Sequence, residues 1–304
     1  MIKTPIPQTI ESFGFCRAEE VKKLRVIKAG MTNRSYSFYI QDKQYIIRIP
    51  GEGTEELINR AQENAVYRVI SSLDISERIH YFDPVTGIKI SSYLEGARVC
   101  DPSNSEDIGK CMAALRAFHN NRLYVDHTFD LWERMEFYEG LWNGAASCYA
   151  DYEEVKQSVL SLRRYIESHQ KELTLCHIDA VPDNFMFVSG KNGREEIKLI
   201  DWEYAGMQDP HLDIAMFAVY AMYNRQQADR LIDLYFPESC DALTRMKIYC
   251  YIAVSGLLWS NWCEFKRHCG VEFGVYAQRQ YDYAKEYTAV FFEAYRKEFG
   301  RDYV

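Results

Sequence analysis

The spacing of apolar positions is strand-like at the start of the chain, turns helical near residue 54 and then returns to strand-like runs. Thr54 suits the N-cap of the predicted helix, because its side-chain oxygen can accept a backbone hydrogen bond in the first turn. The short β-branched and aromatic runs around this helix predict strands, the first three in an antiparallel meander. These runs occupy residues 24–30, 34–40, 44–50, 78–82 and 87–94.

Helical spacing dominates the rest of the chain. It predicts helices at 105–119, 131–142, 152–169, 211–223, 226–236, 243–265 and 275–299. Short apolar strands interrupt them at 173–177, 184–188 and 197–201. The pattern predicts an α+β protein with a small antiparallel β-rich N-terminal lobe, residues 1–93, and a large helical C-terminal lobe, residues 94–304, joined by a hinge near Ser91–Gly96.

Composition narrows the classes of function. The 304 residues carry a formal net charge of -8, so the chain has no general attraction to nucleic acid or to anionic membranes. It has no apolar run of the roughly 18–20 residues that cross a bilayer, and its N-terminus has no apolar core typical of a signal peptide. We therefore expect a cytoplasmic protein without nucleic-acid partners or membrane insertion. The nine scattered cysteines, which form no CxxC pair, are expected to be reduced thiols.

The segment LCHIDAVPDNFMF, residues 175–187, joins two of the short predicted strands and carries polar residues. Asp179 and Asn184 lie on its loop, and Asp201 ends the next strand. An aspartate that faces a substrate hydroxyl can accept its proton, and amide and carboxylate oxygens are ligands for Mg²⁺. The spacing H-x-D-x-x-x-x-N, followed by an aspartate at a strand end, is typical of kinase-type phosphoryl transfer. Simple turn formation by these residues is the structural alternative.

Four segments together resemble the choline/ethanolamine kinases, which belong with the aminoglycoside phosphotransferases and share the bilobal protein-kinase-like fold. The segments are AGMTNRSY (29–36), IIRIPGEGTEELINRAQEN (46–64), LCHIDAVPDNFMF (175–187) and IDWEYAGMQDPHLDIA (200–215). Within the family, the resemblance is greatest to bacterial choline kinases that supply phosphocholine for surface polysaccharides. It implies that ATP and Mg²⁺ take part in the reaction.

The resemblance implies a role for each polar residue of the motif. Asp179 is implied as the catalytic base that orients and deprotonates the substrate hydroxyl. His177 is implied as a support of the catalytic loop. Asn184 and Asp201 are implied as the ligands of Mg²⁺.

For the nucleotide, the resemblance implies a cation on the third strand. Arg48 stands where many kinases have lysine, and its forked donors suit phosphate oxygens. Glu63, on the following helix, is implied as the carboxylate that aims Arg48. The structural alternatives are that Arg48 is an exposed charge on its strand and that Glu63 is an exposed acid on its helix. The remaining implied ATP-binding residues are Gly30, Thr32 and Asn33 over the phosphates and Ser91, Tyr93 and Leu94 near the adenine.

A quaternary ammonium such as that of choline donates no conventional hydrogen bond, so aromatic rings and a nearby carboxylate are its best receptor. Trp259 and Trp262 lie three residues apart on one predicted helix, and Tyr276 and Tyr281 lie on the last one. All four rings are candidates for the substrate site. An aromatic core stripe is the structural alternative.

Glu203 and Tyr204 follow the predicted metal aspartate directly and complete the candidate substrate site. The resemblance places the counterparts of Glu203, Tyr204, Trp259 and Tyr276 around choline. The sequence therefore predicts ATP-dependent phosphorylation of choline. Ethanolamine kinase, an aminoglycoside or other small-alcohol phosphotransferase, and a non-catalytic pseudokinase are the alternatives. The sequence leaves the oligomeric state open.

Overall fold

The N-terminal strands form a single antiparallel sheet. They are β1 (Lys22–Ala29), β2 (Asn33–Ile40), β3 (Lys43–Pro50), β4 (Ile79–Phe82) and β5 (Lys89–Ser92). Their order in the sheet is β1-β2-β3-β5-β4, which confirms the predicted meander. This computed structural model describes residues 5–29, 33–51, 57–170, 172–190 and 193–303.

One face of this sheet packs against the short helix α1 (Ile6–Ser12). Ile10 of α1 lies in an apolar cluster with Phe38 and Ile47, and all three are fully buried. Side chains alternate between the faces of a strand, so Arg48, which follows Ile47, projects from the opposite face. The alternation on β3 thus separates the apolar core from the charged residues described below.

Helix α2 (Arg60–Ile70) begins later than the sequence predicted. Asn59 is its N-cap and accepts hydrogen bonds from the amides of Ala61 and Gln62, at 3.1 and 3.2 Å. The predicted start at Thr54 is wrong; Thr54 itself lies outside the described residues. Both residues can cap a helix, and the choice of Asn59 places Arg60 in the first turn.

The contacts divide the chain into two compact units. The first unit lies within Met1–Val99 and Asn184–Ala205, and the second within Cys100–Asp183 and Gly206–Val304. The sequence had assigned all residues after position 93 to the C-terminal lobe. The difference arises because β6 (Arg98–Val99), β8 (Phe185–Ser189) and β9 (Glu195–Leu199) form one three-stranded antiparallel sheet.

The hairpin of β8 and β9 is also tied to the chain that follows α2. The amide of Leu199 donates to the carbonyl of Ile75 at 2.7 Å. The ammonium of Lys198 lies 2.9 Å from the carboxylate of Asp74. Backbone pairing of this kind depends on distant partners, which the local pattern of residues does not reveal.

The second unit is mainly helical. Its helices are α3 (Ser105–His119), α4 (Leu131–Gly140), α5 (Tyr152–Leu160), α6 (Arg163–His169), α7 (His211–Tyr220), α8 (Arg225–Tyr235), α9 (Ala242–His268) and α10 (Val275–Phe299). Its short strands β7 (Thr174–Cys176) and β10 (Gly206–Gln208) pair antiparallel. The predicted single helix at 152–169 is two helices, because the amide of Leu162 turns to the carbonyl of Val159 at 3.1 Å and tightens the chain there.

The two long helices α9 and α10 approach each other closely at Gly256. A Cβ atom at this position would lie 2.6 Å from the carbonyl oxygen of Gln280. A side chain there would force the helices apart, so glycine is required. Among the described residues, no helix combines the length and the apolar character needed to cross a membrane.

Candidate active site

The three residues His177, Ile178 and Asp179, here called the HID segment, follow β7 directly. His177 and Ile178 are fully buried, whereas Asp179 is partly exposed. Ile178 has a φ of 67°, which is rare for a β-branched residue. This left-handed residue turns the chain between a buried strand and the partly exposed acid.

The carboxylate of Asp213 holds the backbone of the HID segment. It accepts hydrogen bonds from the amides of His177 and Ile178, at 2.9 and 2.7 Å. Asp213 lies in the first turn of α7 and is fully buried. The ring of His119 lies 2.9 Å from the same carboxylate. The position of Asp179 is therefore determined by a polar anchor inside the second unit.

The two predicted magnesium ligands come together in the first unit. Asn184 ends a short 3-10 turn, and the amide of Ile200 donates to its carbonyl at 3.0 Å. Asp201 follows Ile200 and has a φ of 65°. The side chain of Asp201 is 37% exposed. An amide oxygen and a carboxylate are hard donors of the kind that Mg²⁺ prefers, so the donor set fits this ion.

Arg48 is buried among three carboxylates of the first unit. One nitrogen of its guanidinium donates to Glu63, and the other donates to Asp201 at 2.9 Å and approaches Glu203 at 3.5 Å. Burial by itself would lower the pKa of Arg48, but the charges of Glu63 and Asp201 outweigh it and raise the pKa. Arg48 therefore remains a cation, and the alternative of an exposed strand charge is excluded by its 5% exposure.

A second arginine, Arg60, completes this group of charges. Its guanidinium lies 2.8 Å from Glu63 and 3.0 Å from Glu203, and it donates to the amide oxygen of Asn33 at 3.2 Å. Asn33 in turn donates to Glu203 at 3.0 Å. Arg60 was not among the residues that the sequence predicted for the site. Its signal was its position three residues before Glu63, on the same predicted helix.

These residues form a network that we call the buried ion cluster: Asn33, Arg48, Arg60, Glu63, Asp201 and Glu203. The pKa values of its two most buried acids move in opposite directions. Burial would raise the pKa of Glu63, but Arg48, Lys89 and Arg60 lower it. Burial and the charge of Asp201 raise the pKa of Glu203. With every group ionised the cluster has two positive and three negative charges, and this excess of one negative charge favours a bound cation.

Glu203 and Tyr204 were predicted to bind the substrate. The structure places both in the first unit. Glu203 is buried in the ion cluster, and Tyr204 is half-buried. Their predicted contact with a substrate stays a prediction.

The residues predicted near the adenine lie at the end of β5 and just after it. Ser91 is buried, Leu94 is half-buried and the side chain of Tyr93 is exposed. The amide of Tyr93 donates to the carbonyl of Gln44 at 3.1 Å, which fixes the chain after the strand. The predicted phosphate-binding residues Gly30 and Thr32 lie outside the described residues.

Five rings of the second unit contact one another in sequence and are called the aromatic cluster: Tyr220, Tyr276, Phe273, Trp262 and Trp259. Neighbouring ring centroids are 6.0, 6.3, 5.1 and 6.1 Å apart in this order. Trp259 and Tyr276 are half-buried, whereas Trp262 is 7% exposed. The cluster thus presents ring surface that is not wholly enclosed by the core.

The aromatic cluster lies close to acids that follow β7 in the sequence. The hydroxyl of Tyr220 donates to the carboxylate of Asp183 at 3.3 Å. Burial raises the pKa of Tyr220, and the charges of Asp183 and Asp179 raise it further. Burial also raises the pKa of Tyr276, to which Asp179 contributes. The predicted base and the predicted aromatic site are therefore electrostatic neighbours within the second unit.

Tyr281 has different contacts from the other predicted substrate residues. Its ring stacks on Tyr149 at 3.7 Å between centroids, and its hydroxyl donates to Asp151 at 2.8 Å. It is 2% exposed. Tyr281 therefore serves the packing of α10 in this structure, and its predicted role in binding stays a prediction.

Sequence reasoning missed Tyr220 and Phe273. Tyr220 was assigned to a helix without a functional role, and Phe273 lies between the two helices that carry the predicted rings. Only the fold brings residue 220 beside residue 276. The sequence did offer one signal for each residue. Phe273 lies three residues before Tyr276, and Tyr220 lies on the helix that begins within the motif at 200–215.

An N-terminal antiparallel sheet, a helical C-terminal part and an HxD segment followed by Asn184 and Asp201 define a phosphotransferase with a kinase-like fold. A model of the choline/ethanolamine kinase family matches residues 24–233. The chain belongs to the choline/ethanolamine kinase family.

Individual relatives agree with this assignment. The crystal structure of choline kinase LicA from Streptococcus pneumoniae is 30% identical, covers 94% of this chain and 98% of its own, and has a TM-score of 0.78. A structure of LicA in complex with AMP is 31% identical, with coverage of 94% and 97% and a TM-score of 0.78. Protein LicA of Haemophilus influenzae is 27% identical over 270 residues, which is 84% of this chain and 97% of that protein.

Proposed function

We propose that the protein is a choline kinase, which transfers the γ-phosphoryl group of ATP to the hydroxyl of choline. The observation that carries the proposal is the aromatic cluster, whose Tyr220 hydroxyl donates to Asp183, four residues after Asp179. A small cation with a hydroxyl group matches these two features, because rings attract the cation and the acid accepts the hydroxyl proton. The similarity to a structure described as a choline kinase supports the same substrate.

The alcohol is assigned to the second unit. The trimethylammonium group of choline would lie against the rings of Trp259 and Tyr276, with Tyr220 beside them. Asp179 would accept the hydroxyl proton as the hydroxyl oxygen attacks the γ-phosphorus, and ADP would leave with the bridging oxygen. The partly exposed carboxylate of Asp179 and the buried anchor beneath it suit this task, since a base must be both accessible and fixed.

The nucleotide is assigned to the first unit, together with the predicted residues around its base and phosphates. Arg48 would contact the phosphates, and Glu63 would keep its guanidinium in place. Asn184 and Asp201 would hold Mg²⁺. The ion, when bound, neutralises phosphate charge as it develops during transfer. The LicA structure that contains AMP supports a nucleotide in a relative of this fold.

Ethanolamine is the main competing substrate, since the family includes both activities. Its primary ammonium donates hydrogen bonds, so acceptors would matter more than ring faces. An aminoglycoside needs several acids around an open cleft, and the aromatic character of the residues 249–295 does not favour it. A pseudokinase has no reason to keep the base, the cation and both metal ligands. A cytoplasmic location, where ATP is present, accords with the proposal.

The test is an assay of ADP release by the purified protein with ATP, Mg²⁺ and one candidate alcohol at a time. The candidates are choline, ethanolamine, thiamine and a kanamycin-type aminoglycoside. We expect the highest kcat/KM with choline, and mass spectrometry should identify phosphocholine. An Asp179→Asn variant with the same panel serves as the control for contaminating kinases. Preference for ethanolamine or an aminoglycoside contradicts the choline assignment, and release with none of them contradicts the enzyme.

A further inference from the structure

A buried chain of hydrogen bonds connects helix α8 to the HID segment. The hydroxyl of Tyr235, at the end of α8, lies 2.8 Å from Nδ1 of His119. Nε2 of His119, the last residue of α3, lies 2.9 Å from the carboxylate of Asp213. That carboxylate accepts the amides of His177 and Ile178. The chain joins two helix ends to the loop that presents the proposed base.

The HID segment needs such an anchor because its backbone is strained. Ile178 adopts a φ of 67° although it is β-branched and fully buried. A residue in a sparsely populated region of this kind costs on the order of 1–3 kcal/mol and persists where the surroundings impose it. The amides of His177 and Ile178 both donate to the carboxylate of Asp213, and these two hydrogen bonds stabilise the strained conformation.

His119 fixes the orientation of the carboxylate of Asp213. One oxygen accepts from Ile178, and the other accepts from His177 and faces Nε2 of His119. With the proton on Nε2, the ring donates to Asp213, and Nδ1 accepts the hydroxyl proton of Tyr235. In this arrangement the Tyr235 hydroxyl donates to His119, and His119 donates to Asp213. Three donors around one carboxylate fix its plane more firmly than the two amides alone.

The same place offers three possible metal ligands, since atoms of His119, Cys176 and Asp213 lie within 4.8 Å of one another. The hydrogen bonds argue against a metal. Both oxygens of Asp213 already accept amide protons, and the thiol of Cys176 lies 3.3 Å from the carbonyl of Gln208. Burial also raises the pKa of the Cys176 thiol, which opposes the thiolate that a metal requires.

We propose that His119 and Tyr235 are positioning residues for phosphoryl transfer. They orient Asp213, Asp213 holds the strained HID segment, and the segment directs Asp179 toward the substrate hydroxyl. The inference rests on the proposed role of Asp179 as the base. Neither His119 nor Tyr235 touches a reacting atom, so their loss should affect the rate of transfer more than the binding of either substrate.

The first experiment compares His119→Leu, which removes both ring nitrogens, with His119→Gln, whose amide can still donate to Asp213. We measure kcat, both KM values and hydrogen exchange of the peptide that contains the HID segment. For His119→Leu we expect kcat to fall about tenfold or more, since small misplacements of reacting groups cost large factors in rate. Both KM values should change less than about threefold. His119→Gln should recover most of the kcat and the slow exchange.

A second variant, Tyr235→Phe, is used in case His119→Leu proves insoluble. It removes only the hydroxyl at the far end of the hydrogen-bond chain and should keep the fold intact. Its matched control is Tyr165→Phe, because Tyr165 is 2% exposed and its hydroxyl donates to the carbonyl of Leu243 at 3.2 Å in the same unit. Each variant loses one hydrogen bond of a tyrosine hydroxyl. We expect Tyr235→Phe alone to speed exchange in the HID segment and to lower kcat.

Several outcomes would overturn the inference: equal exchange in the HID segment of His119→Leu and wild type, no recovery in His119→Gln, or equal effects of Tyr235→Phe and Tyr165→Phe. Stoichiometric zinc in the purified wild-type protein, measured by elemental analysis, would also overturn it. The failure of the proposed function looks different. A wild-type protein that phosphorylates nothing in the substrate panel, yet shows the expected exchange differences, contradicts the function and supports the anchoring of the HID segment by His119.

Discussion

The guanidinium of Arg48 lies 2.9 Å from the carboxylate of Asp201, although 153 residues separate them in the sequence. The side chain of Arg48 is 6% exposed and that of Asp201 is 37% exposed. The cation is therefore enclosed, while the acid keeps a side toward solvent. This relationship sets the predicted phosphate-binding cation directly beside the predicted magnesium ligand within the first unit.

Replacement of Arg48 by lysine should weaken ATP binding. A lysine ammonium cannot reproduce the fork that donates to Glu63 with one nitrogen and to Asp201 with the other. We expect the KM for ATP to rise about tenfold or more, which is about 1.4 kcal/mol, with little change in the KM for choline. Steady-state kinetics measure both. The control is Arg98→Lys, because Arg98 forms an exposed pair with Glu195 and should behave like wild type.

The lowered pKa of Glu63 predicts a pH dependence of stability. An acid whose pKa is depressed by folding contributes stability above its ordinary pKa of 4.5, and this contribution is lost as the pH falls through the lower folded value. Glu63→Gln should cost on the order of 3 kcal/mol of unfolding free energy near neutral pH, as for a broken buried ion pair. Urea unfolding at a series of pH values should show the gap to wild type narrowing below 4.5.

Glu203 provides the internal comparison, because its pKa moves the other way. The folded state holds its proton more tightly, so wild type loses stability as the pH rises from 4.5 through the raised folded pKa. Relative to wild type, Glu203→Gln should therefore gain stability as the pH rises over this range. If the two variants show the same slope, the assignment of opposite shifts within the buried ion cluster is wrong.

Asp179→Asn should abolish most turnover while the substrates still bind. A positioned general base contributes about 10²–10⁴-fold to a rate, and asparagine cannot accept the hydroxyl proton. We expect kcat to fall within that range and both KM values to stay near wild type. Asp126→Asn, at an exposed acid of the same unit, is the control. Near wild-type kcat in Asp179→Asn contradicts its role as the base.

Asp201→Asn should raise the Mg²⁺ concentration needed for half-maximal activity. Loss of a charged ligand weakens a site more than loss of a supporting contact, which itself costs about 10–100-fold in metal affinity. We therefore expect a rise of at least about tenfold, measured by titration of the metal at saturating ATP. Asp74→Asn is the control, since the side chain of Asp74 is 83% exposed and pairs with Lys198. An unchanged magnesium requirement would exclude Asp201 as a ligand.

Trp259→Ala should weaken choline binding with little effect on ATP. A cation–π contact contributes about 0.5–2 kcal/mol, so we expect the KM for choline to rise by about 2- to 30-fold. Trp259→Phe, which keeps a ring, should lie between wild type and Trp259→Ala. The control is Tyr124→Ala, at an aromatic residue that is 66% exposed. Equal choline KM values in all these proteins argue against the aromatic cluster as the substrate site.

The sequence by itself determined the α+β class, the antiparallel strands and most helices, because these follow from the local spacing of apolar residues. Helix α3 begins and ends where the pattern placed it, at Ser105 and His119. The start of α2 was predicted less well, because two nearby residues compete for the N-cap position. Thr54 and Asn59 are both good caps, and the sequence does not show which of them begins α2.

The tertiary structure decided which distant residues meet. It brought Arg60 and Glu203 together at 3.0 Å across 143 residues, and it joined β6 to the β8–β9 hairpin within the first unit, although the sequence had assigned all three strands to the C-terminal lobe. It also placed Tyr220 beside Tyr276. Contacts of this kind depend on strand pairing and helix packing between remote segments, and no period in the sequence encodes them. The motif thus predicted the chemistry, whereas only folding assembled the buried charges and the hydrogen bonds from Asp213 that hold the motif in place.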